Sequence, residues 1–449
     1  MRCKILHQTT TTSESRLAAD ILQWVRSHYP DLVKCRRYLH ANPEVSGCEF
    51  ATAAYIAKAL SAAGLHPRLV PQGNGLVCDV GAPGCDTPTI AIRADLDALP
   101  LQDLKSVSYR STVANVCHAC GHDAHTTIAL GVACALAEMQ AELPGTVRFI
   151  FQPAEEILPC GSLEMIDFGA LSGVSQIYGL HCDPHLEVGN VGLRVGALTA
   201  AADNLIVRLT GRGGHTARPQ LTSDLITALA RVVTDVPAIV ARKVDARSAL
   251  LITFGVVQAG TTYNSIPTHG YVAGTVRMLD EGTWRSAPEV VSDVVNQVLA
   301  PFGADVSIEY LRGRPPVIND AHCIEILRSA TVLEMGSSAV QDTPQSMGGE
   351  DFSWYLQEIP GAMFRLGVAN PRERLELHQG TFDIEEEAMG VGVRVLARAA
   401  VRALNYLAST PTSIASTAAL QTEHLDIQVA GGISANGTST MKIIENSID

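Results

Sequence analysis

Residues 117–125 form the densest group of potential metal ligands in the chain, with the sequence Cys-His-Ala-Cys-Gly-His-Asp-Ala-His. Cys120 and His122 stand one residue apart before a predicted helix, and alternate residues of an extended segment point to the same side. A closed structural zinc site usually combines two paired motifs, whereas Cys117 and Cys120 form a single Cys-x-x-Cys. The spacing favours a catalytic metal; a structural zinc knuckle and incidental His and Cys residues are the alternatives.

A pair of glutamates follows the predicted strand 146–151. Glu155 and Glu156 come after Gln152-Pro153, and α/β proteins build their sites at the carboxyl ends of strands. Adjacent side chains point in different directions, so one carboxylate could bind metal while the other takes a proton from water. The alternative is an acidic pair that the dipole of a helix start stabilises.

Further candidate ligands lie at the ends of other predicted elements. Asp95 and Asp97 follow strand 89–94 on one face, where they could bind metal, orient a metal-bound histidine or form a solvated acidic turn. His181 ends a predicted strand, and His378 precedes the final helix. Each of these histidines taken alone is more often a core residue than a ligand.

The middle of the chain adds candidates for substrate binding. A glycine-rich turn, 211–215, presents His215, Asn264 lies in a predicted loop, and Arg277 lies on a predicted strand. The glycines lack the spacing and setting of a phosphate loop. His215 could stabilise a developing oxyanion and Arg277 could hold a carboxylate through two hydrogen bonds. A turn histidine and a surface arginine are the alternatives.

Strands that alternate with helices position these residues. Short apolar runs bounded by Gly, Pro and Asp predict buried strands, and longer amphipathic runs predict helices. The strands are 76–80, 89–94, 146–151 and 177–181; the helices are 14–29, 31–40, 49–63, 124–141 and 384–407. This order predicts a layered α/β domain with a mainly parallel sheet.

The pattern changes near residue 200. The elements there have the order β-α-β-β-α-β, which is that of a ferredoxin-like module. They are strand 203–210, helix 222–242, strands 249–258 and 270–278, helix 283–300 and strand 305–311. We therefore expect a first domain in two parts, 1–199 and 313–408, an inserted module at 200–312, and a loosely ordered tail at 409–449.

Composition restricts the partners. The 449 residues have a net charge of −13, and nucleic acid or an anionic membrane would require a basic surface. The sequence predicts neither a signal peptide nor a membrane span. Eleven irregularly spaced cysteines without a signal indicate a reduced, cytoplasmic protein.

Taken together, the motifs resemble those of the M20 metallopeptidase superfamily. They are RADLDALP (93–100), CHACGHDAHT (117–126), FQPAEE (151–156), GLH (179–181), GRGGHTARP (211–219), TTYNSIP (261–267), GTVR (274–277) and GGEDFSWY (348–355). Within the superfamily the chain is similar to the M20D amidohydrolases, which include hippurate hydrolases and hydrolases of auxin–amino acid conjugates. The likeness covers about residues 30–408.

The resemblance implies a role for each matching residue. Two divalent ions, zinc or manganese, would be bound by Cys120, His122, Glu156, His181 and His378. Glu155 matches the general base that activates the attacking water, and Asp97 matches a carboxylate that supports the metal site. His215 matches a histidine of the inserted lid module that reaches the substrate across a homodimer. Asn264 and Arg277 match lid positions that face the substrate.

The function implied is metal-dependent hydrolysis of the amide bond of N-acyl amino acids. A dipeptidase or carboxypeptidase with the same metals is an alternative, and a non-catalytic protein would be indicated by lost ligands, which the sequence does not show. The chain departs from the family pattern at Ile157-Leu-Pro-Cys-Gly161, where a Gly-rich run is common, and at His378-Gln379-Gly380, where His-Ser-Pro is usual. The second departure makes His378 the least secure ligand.

Overall fold

The structure is a computed structural model that describes residues 2–81, 87–369 and 375–410, and for residues 2–15 it describes the helical backbone only. The predicted tail lies outside these ranges, apart from its first two residues. A membrane span needs a long apolar helix, and the described ranges contain none.

The described elements alternate between helices and strands. The helices are α1 (Arg2–Ala41), α2 (Phe50–Ala62), α3 (His122–Glu138), α4 (Gly161–Asp167), α5 (Leu225–Lys243), α6 (Glu281–Leu299), α7 (Ala321–Met335), α8 (Phe352–Glu358) and α9 (Glu387–Ser409). The strands are β1 (Arg68–Leu69), β2 (Leu76–Val80), β3 (Thr89–Asp95), β4 (Thr146–Gln152), β5 (Val174–Glu187), β6 (Val191–Leu193), β7 (Gly196–Thr199), β8 (Ala201–Thr210), β9 (Gly214–His215), β10 (Leu251–Ala259), β11 (Ser265–Ile266), β12 (His269–Met278), β13 (Asp305–Arg314), β14 (Val317–Asn319), β15 (Val340–Asp342) and β16 (Gly361–Ala369).

The larger sheet has the strand order β1-β2-β4-β3-β5-β16-β6-β15. Strand β3 is parallel to both β4 and β5, β16 is parallel to β5, and β15 is parallel to β6. Ile90 and Ile92 of β3 join one hydrophobic cluster, whereas Ala91 joins another, so both faces of the sheet are covered. The predicted α/β fold with a mainly parallel sheet is confirmed.

The lid module has its own sheet and core. Its four strands are ordered β10-β12-β8-β13 and all pair antiparallel. Together with α5 and α6 they form the β-α-β-β-α-β arrangement, and one hydrophobic cluster lies wholly within residues 201–299. The ferredoxin-like class is confirmed, while the boundaries 200–312 stay a prediction.

One prediction about the first domain is wrong. The sequence predicts two helices that meet at Pro30, but α1 continues through this proline. Trp24 on one side of Pro30 and Leu32 and Leu39 on the other are buried in the same cluster. The packing of both halves into one core compensates for the backbone hydrogen bond that a proline removes.

Candidate metal centre

The site lies where the carboxyl ends of neighbouring parallel strands meet. Asp97 follows β3, and Glu155 and Glu156 follow β4. The pairing of β3 with β5 ends at Arg93 and Gly179, so His181 lies two residues beyond the last pair, although β5 itself continues to Glu187. His122 begins α3, which packs against the same strands. The sheet edge thus brings together residues that are far apart in the chain.

Cys120 and His181 face each other. The Cys120 Sγ and His181 Nε2 atoms are 3.4 Å apart. His181 donates from Nδ1 to the carbonyl oxygen of Cys182 at 2.8 Å, which leaves Nε2 unprotonated, with its lone pair facing the Cys120 thiol. Burial and the nearby charge of Arg365 hold the pKa of His181 well below its usual range. A neutral imidazole with a free Nε2 is the form that binds a metal ion.

A carboxylate orients the ring of His122, and although burial opposes protonation, the charge of Asp95 and the hydrogen bond with Asp97 raise the pKa of His122 well above its usual range. Its Nδ1 lies 3.1 Å from Asp97 Oδ1, and its Nε2 is buried without a hydrogen-bond partner. The other oxygen of Asp97 accepts hydrogen bonds from Ser46 Oγ at 2.6 Å and from the Glu156 backbone at 2.9 Å. Asp97 therefore orients the His122 ring, as carboxylates behind metal-bound histidines do.

Glu156 and His378 complete the group. Glu156 Oε1 lies 3.2 Å from His378 Nε2. Burial opposes ionisation of Glu156, but the hydrogen bond from His378 and the charge of His122 lower its pKa. His378 has a φ of 60°, a strained conformation for a non-glycine residue, and its backbone N–H donates to Ala119 at 2.8 Å. The backbone thus holds this half-exposed ring against the buried carboxylate.

The side chain of Glu155 points in a different direction from that of Glu156, as is expected for adjacent residues. Ala154 before it has a φ of 53°, which turns the chain sharply after β4. Glu155 Oε1 accepts a hydrogen bond from the Asp351 backbone at 3.3 Å and lies 3.8 Å from Arg314 Nε. Burial and the neighbouring charges of Glu350 and Glu156 raise its pKa well above the usual range. A carboxylate in such surroundings is suited to accept a proton.

The five predicted ligands form what we call the open cluster: Cys120, His122, Glu156, His181 and His378. The ligand atoms of Cys120, His122 and His181 lie within 4.8 Å of one another, and so do those of Cys120, Glu156 and His378. Two groups of three that share one thiol fit two neighbouring divalent ions. The buried and unpartnered Nε2 of His122 is also what such an ion would bind.

A cleft of about 270 Å³ opens beside the open cluster. Arg277 lines it, as the sequence predicts, and donates from Nη1 to the Met347 carbonyl at 2.5 Å. His215 and Asn264 do not line it. Both are exposed, and they lie next to each other where β9 pairs with β11 and Thr216 donates to the Asn264 carbonyl at 3.2 Å.

The sequence analysis missed three charged residues of the cleft, which are Arg314, Glu350 and Arg365. Glu350 belongs to the GGED motif, which contributed only to the family resemblance. Arg314 ends β13, three residues beyond the predicted strand 305–311, and none of the motifs contains it. Arg365 lies in β16, for which the sequence pattern makes no prediction. The GGED motif was therefore the one usable signal.

A second group of potential ligands includes His40, Asp103 and Cys117. We call this group, together with Asp123 and the cation Lys105, the filled cluster. His40 lies 2.6 Å from Asp123 and 3.3 Å from Asp103. The Lys105 ammonium lies 3.1 Å from Asp103 Oδ1 and 3.5 Å from Cys117 Sγ. The protein itself therefore supplies a cation to these ligands.

Metal-dependent hydrolases combine metal ligands with a nearby carboxylate base, and the cleft offers both kinds of group. The chain belongs to Peptidase family M20/M25/M40, which matches residues 91–402. This confirms the resemblance inferred from the motifs.

Several known proteins are similar over most of the chain. A Rhodococcus jostii protein that carries the name glutamate–cysteine ligase 2-3 is 46% identical over 84% of this chain. The chain spans only 47% of that relative's length. An N-acetylcysteine deacetylase of Bacillus subtilis is 35% identical over 85% of this chain and 99% of its own.

A solved structure supports the fold and the kind of site. It is a dinuclear metal-binding peptidase of the M20 family from Bacillus subtilis, with a TM-score of 0.75 and 34% identity. The match covers 85% of this chain and 99% of that one. The chain is thus similar to a two-metal enzyme over nearly the whole length of that enzyme.

Proposed function

We propose that the chain hydrolyses the amide bond of N-acyl amino acids, such as N-acetyl or N-benzoyl amino acids, and releases a free amino acid and a carboxylic acid. The observation that carries the proposal is the buried Glu155 carboxylate, which lies within 4.8 Å of His122 and Glu156 of the open cluster. The similarity to an N-acetylcysteine deacetylase supports the choice of substrate class.

The open cluster is our proposed site for two divalent ions, zinc or manganese. A thiolate favours zinc, whereas carboxylate and imidazole ligands also suit manganese. When bound, the two ions would polarise the acyl carbonyl and lower the pKa of water. Asp97 keeps His122 in the orientation and tautomer that binding requires.

The protein's own groups then move the proton and orient the substrate. Glu155 takes a proton from the attacking water and later gives it to the leaving amine. Arg277 of the lid holds the free carboxylate through its planar guanidinium, and Asn264 of the partner subunit, which lies beside His215, contacts the same carboxylate. Closure of the lid excludes water from the cleft.

We propose that the active form is a homodimer joined through the lid. Strand β10 is an edge strand of the lid sheet, and it exposes Val256 and Val257. An exposed apolar edge strand is suited to pair with a second copy. Because the His215 side chain lies outside the cleft of its own chain, we assign the oxyanion contact to His215 of the partner subunit.

A cytoplasmic location completes the proposal. Nine cysteines in the described residues are free thiols, and seven of them are buried. Reduced cysteines in this number are typical of a reducing compartment.

Metal analysis coupled to a substrate panel tests the function. We expect about two equivalents of metal per chain and hydrolysis of N-acetyl or N-benzoyl amino acids in preference to dipeptides. A preference for dipeptides would support the peptidase alternative. A single tightly held zinc without hydrolytic activity would contradict both.

A further inference from the structure

Among the charged groups of the cleft that the proposed mechanism does not use, Arg365 differs from the others in its contacts. Three arginines line the cleft, and two of them contact backbone carbonyls. Arg277 binds the Met347 carbonyl, and Arg314 binds the carbonyls of Glu155 and Ile157. Within the described ranges, the guanidinium of Arg365 forms neither a hydrogen bond nor an ion pair.

The position of Arg365 follows from the sheet. Strand β16 runs parallel to β5 with Arg365 in register with His181. Residues in register on neighbouring strands point to the same face, so the Arg365 side chain lies next to that of His181. It lines the cleft together with Cys120 and His378 of the open cluster.

Two arginines of the same domain, Arg36 and Arg93, are almost fully buried and have carboxylate partners, whereas Arg365 is partly buried. Arg36 lies 2.8 Å from Asp123 and 2.6 Å from Asp383. Arg93 lies 2.7 Å from Asp95 and 2.5 Å from Asp351. Burial of a charge is costly unless a partner is supplied, and the fold supplies two carboxylates to each of these guanidinium groups.

Arg365 receives no such partner, even though acidic residues are near. Glu350 also lines the cleft, but its Oε1 lies 3.3 Å from Arg93 Nη2 and is engaged there. Two divalent ions in the open cluster would add repulsion to the guanidinium. An anionic group of a substrate that enters the cleft would find this guanidinium unpaired.

We propose that Arg365 binds a second carboxylate of the substrate, so that the preferred N-acyl amino acids carry two carboxylates, one for Arg277 and one for Arg365. The inference rests on the proposed function for the amide between them. A guanidinium matches the two oxygens of a carboxylate with two parallel hydrogen bonds. The second carboxylate belongs either to the amino-acid side chain, as in glutamate, or to the acyl group, as in a succinyl group.

Two pairs of nearly isosteric substrates distinguish these sources. N-acetyl-L-glutamate against N-acetyl-L-glutamine tests the side chain, and N-succinyl-L-alanine against N-butanoyl-L-alanine tests the acyl group. We expect the charged member of one pair to have a kcat/KM about 10- to 100-fold higher, the range of a charge-assisted hydrogen bond. Arg365→Met should abolish that preference, so that the charged and neutral members of the pair have kcat/KM values within about 2-fold of each other.

Arg231→Met is the matched control, because Arg231 is an exposed residue of α5 whose ion-pair partner among the described residues is Asp235. It should keep the full preference. Arg365→Lys keeps the charge without the planar fork, so it should retain part of the preference. This variant also serves if Arg365→Met has a lowered melting temperature or metal content.

Binding measurements separate a failure of this inference from a failure of the proposed function. Calorimetry on the metal-loaded protein would compare L-glutamate with L-glutamine and succinate with butanoate. If no N-acyl amino acid is hydrolysed, the proposed function is wrong, yet an Arg365-dependent preference for glutamate or succinate would still support a carboxylate site. Equal affinities within both pairs, or a preference that persists in Arg365→Met, would overturn it.

Discussion

The open and filled clusters contain the same kinds of potential metal ligand but differ in the charged side chains that contact those ligands. Each places histidine, cysteine and carboxylate atoms within 4.8 Å of one another. In the filled cluster, Lys105 and the neighbouring Arg36 supply positive charge to Asp103 and Asp123. In the open cluster, the carboxylate of Glu156 lies near histidines instead, 4.0 Å from His122 and 3.2 Å from His378, and the Nε2 of His122, like that of His40, is buried without a hydrogen-bond partner.

The difference shows that ligand types alone do not define a metal site. Cys117 and Cys120 are three residues apart and both are buried, yet Cys117 lies beside the ammonium of Lys105 and Cys120 beside the imidazole of His181. A lysine or arginine side chain can neutralise a group of buried acidic ligands, so that no metal ion is required there. A group of ligands without such a side chain is suited to bind a metal ion. Substitutions of single residues in each of the two clusters test this comparison.

The largest effect is expected for Glu155→Gln. The amide keeps the shape of the side chain but cannot accept a proton, so kcat should fall about 10²- to 10⁴-fold. Metal content should stay unchanged, because Glu155 is not one of the proposed ligands. Kinetics on N-acyl amino acids together with elemental analysis measures both quantities.

A matched control for this substitution is Glu164→Gln, on α4 outside the cleft. It should retain full activity. Turnover at the wild-type rate in Glu155→Gln would show that the general base lies elsewhere, and loss of metal would show that Glu155 is a ligand.

The second-largest effect is expected for a substitution in the filled cluster, and it is an effect on the stability of the folded protein. Burial alone would lower the pKa of His40, but the charge of Asp123 and the hydrogen bonds with Asp103 and Asp123 raise it from 6.5 to about 9. The ion pairing of His40 therefore contributes about 3 kcal/mol of stability that is fully present below pH 6.5 and is lost as the pH rises through 9.

His40→Gln should thus lower the free energy of unfolding by about 3 kcal/mol at pH 6 and by much less at pH 10. Urea titrations at several pH values would measure the difference. Because the filled cluster holds no metal in this interpretation, metal content should be unchanged. A destabilisation that is independent of pH would mean that His40 is neutral in the folded protein.

The sequence indicated much of this arrangement before the structure did. Residues at the ends of predicted strands, such as Glu155 and Glu156, lie where parallel strands must converge, so their meeting was predictable. The pairing of Asp97 with His122 was also among the stated alternatives. These predictions succeeded because strand periodicity and the position of strand ends are local properties.

Long-range packing explains the features that the sequence did not predict. The continuity of α1 through Pro30 depends on a core that assembles from distant helices. The unmatched charge of Arg365 depends on its register with His181, nearly two hundred residues away in the chain. The contact between Cys117 and Lys105 could not be predicted either, because the sequence of residues 117–125 contains no information about the position of Lys105.

A smaller effect is expected for Asp97→Asn. The variant loses the charge that orients His122 through Nδ1, and loss of such a partner typically weakens metal affinity about 10- to 100-fold. Competition with a chelating dye would measure the affinity. Asp79→Asn is the control, since Asp79 is an outlying residue paired with Arg148. Unchanged affinity in Asp97→Asn would mean that His122 is oriented by other contacts.

The smallest effect is expected for Cys117→Ser, which tests the comparison most directly. Serine keeps a polar atom near Lys105, so the filled cluster should remain intact and about two metal ions per chain should be retained. Cys120→Ser, three residues away, removes the thiol shared by both groups of ligands and should release metal. Elemental analysis of the two variants, purified in parallel, gives the answer. Equal metal loss in both would contradict the division into a filled and an open cluster, because the Lys105 ammonium would then not substitute for an ion.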